Sequence, residues 1–267
     1  MKDYQKSFEL NQNSWDRRTP IHIDSHFYDN IGFFEGRNSL KHIELKLLGN
    51  VKGKSILHLQ CHFGQDSMSL SRMGAQVTAV DFSESAIQKA KEFSNKLDLD
   101  TKFICCNVYD LPNYLNQQFD LVFTSYGVIG WLPDLDKWAK IISHFLKPNG
   151  NFIMAEFHPT IWMFDDEIKE VAYSYFNTGA IMEQESGTYA NRNANINEKY
   201  VMWNHSLSEV LNNLLNHNFR LKKFYEYSYS PYDCFHNCIK IEEEKYQIKH
   251  HGDKLPMVFA IKAELNN

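Results

Sequence analysis

From about residue 50 onward, short apolar runs alternate with amphipathic stretches. Ile56, Leu57 and Leu59 form a run suited to a buried strand. Gln65 to Met73 carry Met68, Leu70 and Met73 on one helical face, and Gly74 ends that helix. Gln76 to Val80 is a second strand, and it closes on Asp81. Together these make one βαβ unit with a crossover long enough for a parallel pair. A helix follows from Glu84 to Leu97, with Ala86, Ile87, Ala90, Phe93 and Leu97 at helical spacing. Ser85 with Gln88 offers a capping box, and Ser83 an alternative cap. Further strands are read at Lys102 to Cys106, Phe119 to Thr124 and Asn151 to Phe157. The helix from Asp134 to Leu146 buries Leu135, Trp138, Ile141, Ile142 and Phe145, and Pro148 and Gly150 follow it.

The flanks are less regular. Residues 1–36 set Trp15, His22, Phe27, Tyr28, Phe33 and Phe34 among polar residues. A helix over Phe8 to Trp15 is expected to break at Thr19-Pro20. A short helix spans Leu40 to Leu48. Residues 160–205 show aromatic, alternating segments that read as a small antiparallel insertion. Asn177 to Gly179 reads as a turn within it. Ser206 starts a helix, with Glu209 completing a capping box. Phe219 to Tyr229 and Met257 to Leu265 read as two last strands, joined by a long charged loop over 230–255.

The loop from Gln60 to Gly64 should lie at the carboxyl end of the first strand, where open α/β sheets bind ligands. Asp81, about 20 residues further on, is placed to accept hydrogen bonds from ribose hydroxyls. The G-x-G-x-x-G of a dinucleotide site is absent, since only Gly64 is available. The stretch from Ser55 to Ser83, SILHLQCHFGQDSMSLSRMGAQVTAVDFS, instead resembles motif I of the class I S-adenosylmethionine-dependent methyltransferases. That motif reads D/E-x-G-x-G-x-G. Here its acid position is His58 and its glycine positions are Gln60, His62 and Gly64. Histidine tolerates positive φ better than most residues, so His62 can take a glycine site. The later order of strand, polar-aromatic loop, helix, L-K-P-x-G and strand from Phe119 to Phe157 matches the second half of such a core. The likeness covers residues 50–158 well and 206–265 loosely.

The resemblance implies a doubly wound, Rossmann-like α/β sheet of about seven strands. It should be mostly parallel with an antiparallel last strand, plus the small antiparallel insertion. Residues 1–40 would form a cap, and 41–267 a methyltransferase domain with a lid inserted at about 160–205. The cofactor implied is S-adenosylmethionine. Its site would comprise Tyr28, Gln60, His62, Gly64, Asp81, Phe82, Ser83, Asn107, Val108, Ser125 and Tyr126. Asn107 occupies the family position that holds the adenine amino group. The loop SYGVIGWL from Ser125 would lie beside the sulfonium.

Composition narrows the acceptor. The 267 residues carry 28 basic and 33 acidic side chains, a net charge of −5, with no basic block. Nucleic acid therefore gains no electrostatic support as a partner. At the position where amino methyltransferases of nucleic acids carry Asn/Asp-Pro-Pro-aromatic, the chain reads SYGV. No apolar run approaches the ~18 residues of a membrane span. The charged N-terminus does not read as a signal peptide, so a cytoplasmic protein is expected. A monomer or homodimer acting on a small molecule follows. The five cysteines include the adjacent Cys105 and Cys106, which argues against a disulfide framework. Cys234, His236 and Cys238 with His250 and His251 match no standard zinc spacing, so no metal is expected.

The aromatic share of 14% suggests a lined pocket, with Trp15, Tyr126, Trp131, Tyr175 and Trp203 as acceptor contacts. Methyl transfer to oxygen or nitrogen by in-line displacement benefits from a base. His158 at the end of the fifth strand is the first candidate, with Glu156 two positions back to orient it. His205 beside Trp203 is the second. The alternative is a non-catalytic protein that holds S-adenosylmethionine or another nucleoside on the same fold, because fold does not imply function.

Overall fold

The structure is a computed structural model that describes residues 4–266. Its centre is β1 (Ser55–Leu59), whose five residues are all buried, as befits a strand covered on both faces. It pairs in parallel with β2 (Gln76–Asp81) on one side and β4 (Phe119–Ser125) on the other. β3 (Lys102–Cys105) extends the sheet beyond β2, and β5 (Leu146–Phe157) beyond β4. The full order is β3-β2-β1-β4-β5-β11-β8. β8 is Phe219–Tyr227 and β11 is Val258–Leu265, and β11 runs antiparallel to both of its neighbours. The mostly parallel seven-stranded sheet with an antiparallel last strand is therefore present. The chain reverses its winding at β1, so a crevice opens between the β1 and β4 ends.

Side-chain alternation distributes the core over both faces. Ile56, Leu121 and Phe123 pack on one side with Leu47 and Leu48 of α3 (His42–Leu48). Leu57, Leu59 and Val122 pack on the other with Trp138 and Ile142 of α6 (Leu135–Phe145) and Leu214 of α7 (Leu207–Asn216). Met68 of α4 (Gln65–Arg72) and Ile87 and Ala90 of α5 (Glu84–Lys96) close a third cluster around Phe103. Ser83, not Ser85, caps α5: its Oγ accepts from the Ala86 N–H at 3.1 Å.

Three local expectations are corrected. The first helix, α1, runs Gln5–Ile23 straight through Pro20. It is held along its length by partners on two elements, which outweighs the lost backbone bond. Asn11 both donates to and accepts from the Val201 backbone at 2.8 Å, and Gln12 donates to the Phe82 carbonyl at 2.7 Å. Within the insertion, β6 (Ile181–Ser186) and β7 (Asn197–Met202) form the expected antiparallel pair, but residues 171–177 are not a strand. Finally, 230–255 is not only loop: β9 (Cys238–Glu242) and β10 (Lys245–Ile248) make a hairpin. β9 alternates Ile239 and Ile241 with Lys240 and Glu242, a strand period too short to stand out among its charged neighbours. The short α2 (Asn30–Phe34) buries Phe33.

Candidate functional site

A cavity of about 820 Å³ opens at the carboxyl ends of β1, β2 and β4. Its floor is the loop from Gln60 to Gly64. Gln60, His62 and Gly64 all have left-handed backbone, with φ of 56°, 52° and 80°. Two of these positions keep that conformation with a side chain in place. At Gly64 a side chain would not fit, because a Cβ would come within 2.6 Å of the Phe103 ring. Asp81 fastens this loop to the end of β2. Its Oδ2 accepts from the His62 N–H at 2.8 Å and its Oδ1 from the Ser83 N–H at 2.9 Å. Each oxygen keeps a second lone pair for a ligand. Burial pushes the Asp81 carboxyl up to about 6 against the pull of these N–H groups.

The motif acid is missing from this floor. His58 stands in its place, with Nδ1 2.7 Å from the Ser67 hydroxyl, and burial drives its pKa down to about 4. A carboxylate nevertheless faces the cavity at Asp66, in the first turn of α4. Ser39 Oγ donates to it at 2.6 Å and Ser125 Oγ at 3.0 Å. Sequence reasoning passed over Asp66. Its signal was an acid just past the motif glycine, in a helix's first turn.

Of the residues expected to hold a cofactor, Tyr28, Gln60, His62, Gly64, Asp81, Phe82, Asn107, Val108, Ser125 and Tyr126 all line the cavity. Gln60 donates through Nε2 to the Val128 carbonyl, which ties the floor to the loop after β4. Asn107 Oδ1 already accepts from the Tyr109 N–H at 3.0 Å, so its amide caps a turn as well as facing the cavity. Ser83 departs from the expectation. It is fully buried and its hydroxyl donates to Asp16 at 2.6 Å. Capping α5 and holding α1 occupy it, and it does not line the cavity.

The expected catalytic groups lie elsewhere. His158 is buried outside the cavity, with Nδ1 2.9 Å from the Thr160 hydroxyl and Nε2 3.0 Å from Glu226. Burial lowers its pKa, and Glu226 opposes that shift. Strand β5 ends at Phe157, so the His158 ring follows the turn toward β8. Glu156 is turned into the loop after β4. It accepts from the backbone N–H groups of Gly127, Val128, Ile129 and Phe157, the Val128 bond being 2.7 Å. It shapes the cavity wall from behind, and burial raises its pKa despite those bonds. His205 donates through Nε2 to the Leu132 carbonyl at 2.7 Å, and its Nδ1 lies 3.0 Å from Glu209. It clamps α7 to the same loop and is no base at the cavity.

The acceptor half divides similarly. Trp15, Tyr126 and Trp131 line the cavity. The Trp15 and Trp131 rings meet edge to face at 5.3 Å, and Tyr126 donates to the buried Glu44 at 2.8 Å. Burial, reinforced by Asp66, pushes the Glu44 carboxyl up to about 8. Tyr175 does not line the cavity: its hydroxyl accepts the Leu207 N–H at the start of α7. Trp203 is buried against Tyr4, and its backbone N–H donates to the Gly130 carbonyl at 2.8 Å. The walls are completed by residues that the sequence did not single out, among them Arg18, Glu185, Tyr189, Tyr200 and Tyr232. Tyr189 and Tyr200 were signalled only by the aromatic richness of the insertion, and nothing local signalled Arg18, Glu185 or Tyr232.

α1 and the insertion form the roof. Arg17 pairs with Glu198 of β7, and Asp16 accepts from Ser83 and from the Ser85 N–H at 3.0 Å. One helix thus spans from the insertion to the loop after β2. Under it, His22 Nδ1 and His62 Nε2 lie 3.0 Å apart, and burial lowers both pKa values, that of His62 to about 3. Both rings are therefore neutral at pH 7, one donating to the other.

Comparison with known proteins gives the family and the fold. The family model described as a methyltransferase domain matches residues 50–227. A ubiquinone biosynthesis O-methyltransferase of Coxiella burnetii is 32% identical over 116 residues, which cover 43% of this chain and 48% of that protein. The chain thus spans about half the length of the curated relatives it matches. An S-adenosylmethionine-dependent methyltransferase of Clostridium acetobutylicum superposes with a TM-score of 0.58 at 16% identity, covering 96% of this chain and 99% of that one. Another from Mesorhizobium loti gives 0.56 at 16%, covering 86% and 99%. At these identities the two structures share the fold.

Proposed function

This chain belongs to the class I S-adenosylmethionine-dependent methyltransferases, and from that premise we propose that it methylates an oxygen or nitrogen atom of a small molecule bound in the cavity. The observation that carries the reading is the cradle beneath it. The left-handed backbone of motif I persists at Gln60, His62 and Gly64, and Asp81 is fixed beside it with lone pairs to spare. Gln60 Oε1 and His62 Nδ1 also have no partner among the described residues. Buried polar groups without partners are costly, so these residues fit a polar ligand.

Asp81 would hold the ribose hydroxyls, with Phe82, Asn107 and Val108 around the base and the 60–64 loop along the rest. Bound there, S-adenosylmethionine supplies an already activated methyl group. The chain's own part is then chiefly to align and enclose, and proximity alone can be worth about 7–11 kcal/mol. Trp15, Trp131 and Tyr126 would position the acceptor, and α1 with β6 and β7 would exclude water. With His158, Glu156 and His205 turned away, Asp66, a cavity carboxylate held beside Ser125 at the end of β4, would take the proton from the acceptor. The test is to incubate the protein with S-adenosylmethionine and a panel of small phenols, carboxylic acids and amines, following the demethylated product. Release dependent on one acceptor class supports the reading. Tight cofactor binding with no acceptor-dependent turnover would make the chain a binding protein.

A further inference from the structure

Arg18 projects from the C-terminal third of α1 into the cavity wall, and only 3% of its side chain is exposed. Its guanidinium lies over the Tyr200 ring at 4.9 Å and near the Trp15 ring at 5.9 Å. Among the described residues its one ion-pair partner is Glu185 of β6, whose Oε2 lies 2.9 Å from Nη2. That contact is close but poorly aligned: among the described residues neither Nε nor Nη2 has a hydrogen-bond partner. The partner is also the looser of the two, with 36% of its side chain exposed. A buried cation with two unmet donors on one edge is costly. The Nε and Nη2 pair is the edge on which a guanidinium takes a planar carboxylate with two parallel bonds.

We propose that Arg18 anchors the carboxylate of an aromatic or otherwise planar acceptor, which displaces Glu185 and lies among Trp15, Trp131 and Tyr200. The inference rests on the methyl-transfer reading above and names its substrate class. One feature favours a monoanion over a phosphate dianion: once Glu185 leaves, Arg18 offers a single two-donor edge, Nε with Nη2, which matches one carboxylate. Glu185 can leave, because β6 is an edge strand of a two-stranded sheet and its carboxylate already reaches solvent. Arg18 itself is held in place. Asn11 and Arg17 on the same helix are tied to β7, so the anchor is preorganised.

The test uses calorimetry on the full chain saturated with S-adenosylhomocysteine, with benzoate and benzamide as probes. Benzoate should bind at least about 10-fold more tightly than its neutral isostere, the scale of hydrogen bonds to charged groups. Arg18→Gln should remove that preference while leaving benzamide and S-adenosylhomocysteine affinity within a few fold. Glu185→Gln should tighten benzoate binding several-fold, because the competing carboxylate is gone. A merely structural ion pair would not predict a gain. Equal binding of the two probes to the wild-type protein, a preference that survives in Arg18→Gln, or looser benzoate binding in Glu185→Gln would overturn the anchor. S-adenosylhomocysteine binding is measured first. Its absence in the wild type would overturn the methyl-transfer reading, whereas its presence without a carboxylate preference overturns only this proposal.

Discussion

Replacing Asp81 with Ala tests the cradle directly. The carboxylate is buried and already accepts from the His62 and Ser83 N–H groups at 2.8 and 2.9 Å. A ribose hydroxyl bound to the same ionised group should contribute about 1.5–3 kcal/mol, which is about 10- to 150-fold in affinity. The substitution also strands two backbone N–H groups, at roughly 1–3 kcal/mol each if they stay dry, less whatever is regained by removing a buried charge. Thermal unfolding and circular dichroism therefore come first, with Asp81→Asn as a milder control that keeps one acceptor oxygen. Calorimetric titration with S-adenosylhomocysteine follows. The pH dependence supplies an independent reading. Burial holds the Asp81 pKa near 6 in the free protein, above its ordinary 3.8. The folded state thus binds this proton more tightly than the unfolded state. Its contribution to stability is full below about pH 4 and lost as pH rises through about 6. Binding should run the other way: hydroxyls donate to the carboxylate, so affinity should rise through about pH 6 in the wild type and stay flat in Asp81→Ala. Unchanged affinity in a folded variant would refute the assignment.

Gly64→Ala should cost at least about 1–3 kcal/mol of stability, because its Cβ would meet Phe103 at 2.6 Å in a left-handed conformation; the shift of the unfolding midpoint measures this, and a neutral result would mean the loop can rearrange. Glu156→Ala should leave turnover chemistry untouched but loosen the loop after β4, since Gly127, Val128 and Ile129 lose their acceptor; faster hydrogen exchange at those amides is the readout, and unchanged protection would contradict the anchoring role. His158→Ala should lower stability by roughly 1–3 kcal/mol through its bonds to Thr160 and Glu226, while turnover stays within a few fold. A loss of about 10²-fold or more with cofactor affinity intact would restore it as a base.

The order of elements was legible in the sequence because burial imposes a pattern on a chain: β1 is buried throughout and mostly apolar, and α6 has one apolar face. Asp81 and the loop before it were legible for the same reason, since a strand end fixes where the next residues stand. The three glycine positions kept their left-handed backbone, so position in the fold outlasted the loss of Gly at Gln60 and His62. Direction was not legible. Glu156 and His158 are two apart, but the strand ends between them, and one turns into a loop while the other reaches β8. Tyr175 and His205 likewise went to backbone groups, because a polar side chain serves a backbone group as readily as a ligand, and Trp203 went to packing against Tyr4. Nothing local marks Arg18, Glu185 and Tyr200 as neighbours. They meet because α1 docks on β7 through Asn11 and Arg17, contacts that span most of the chain and exist only once the sheet has folded. Sequence periodicity determined which residues are buried and in what elements. Tertiary contact decided which buried polar groups face each other and which face the cavity.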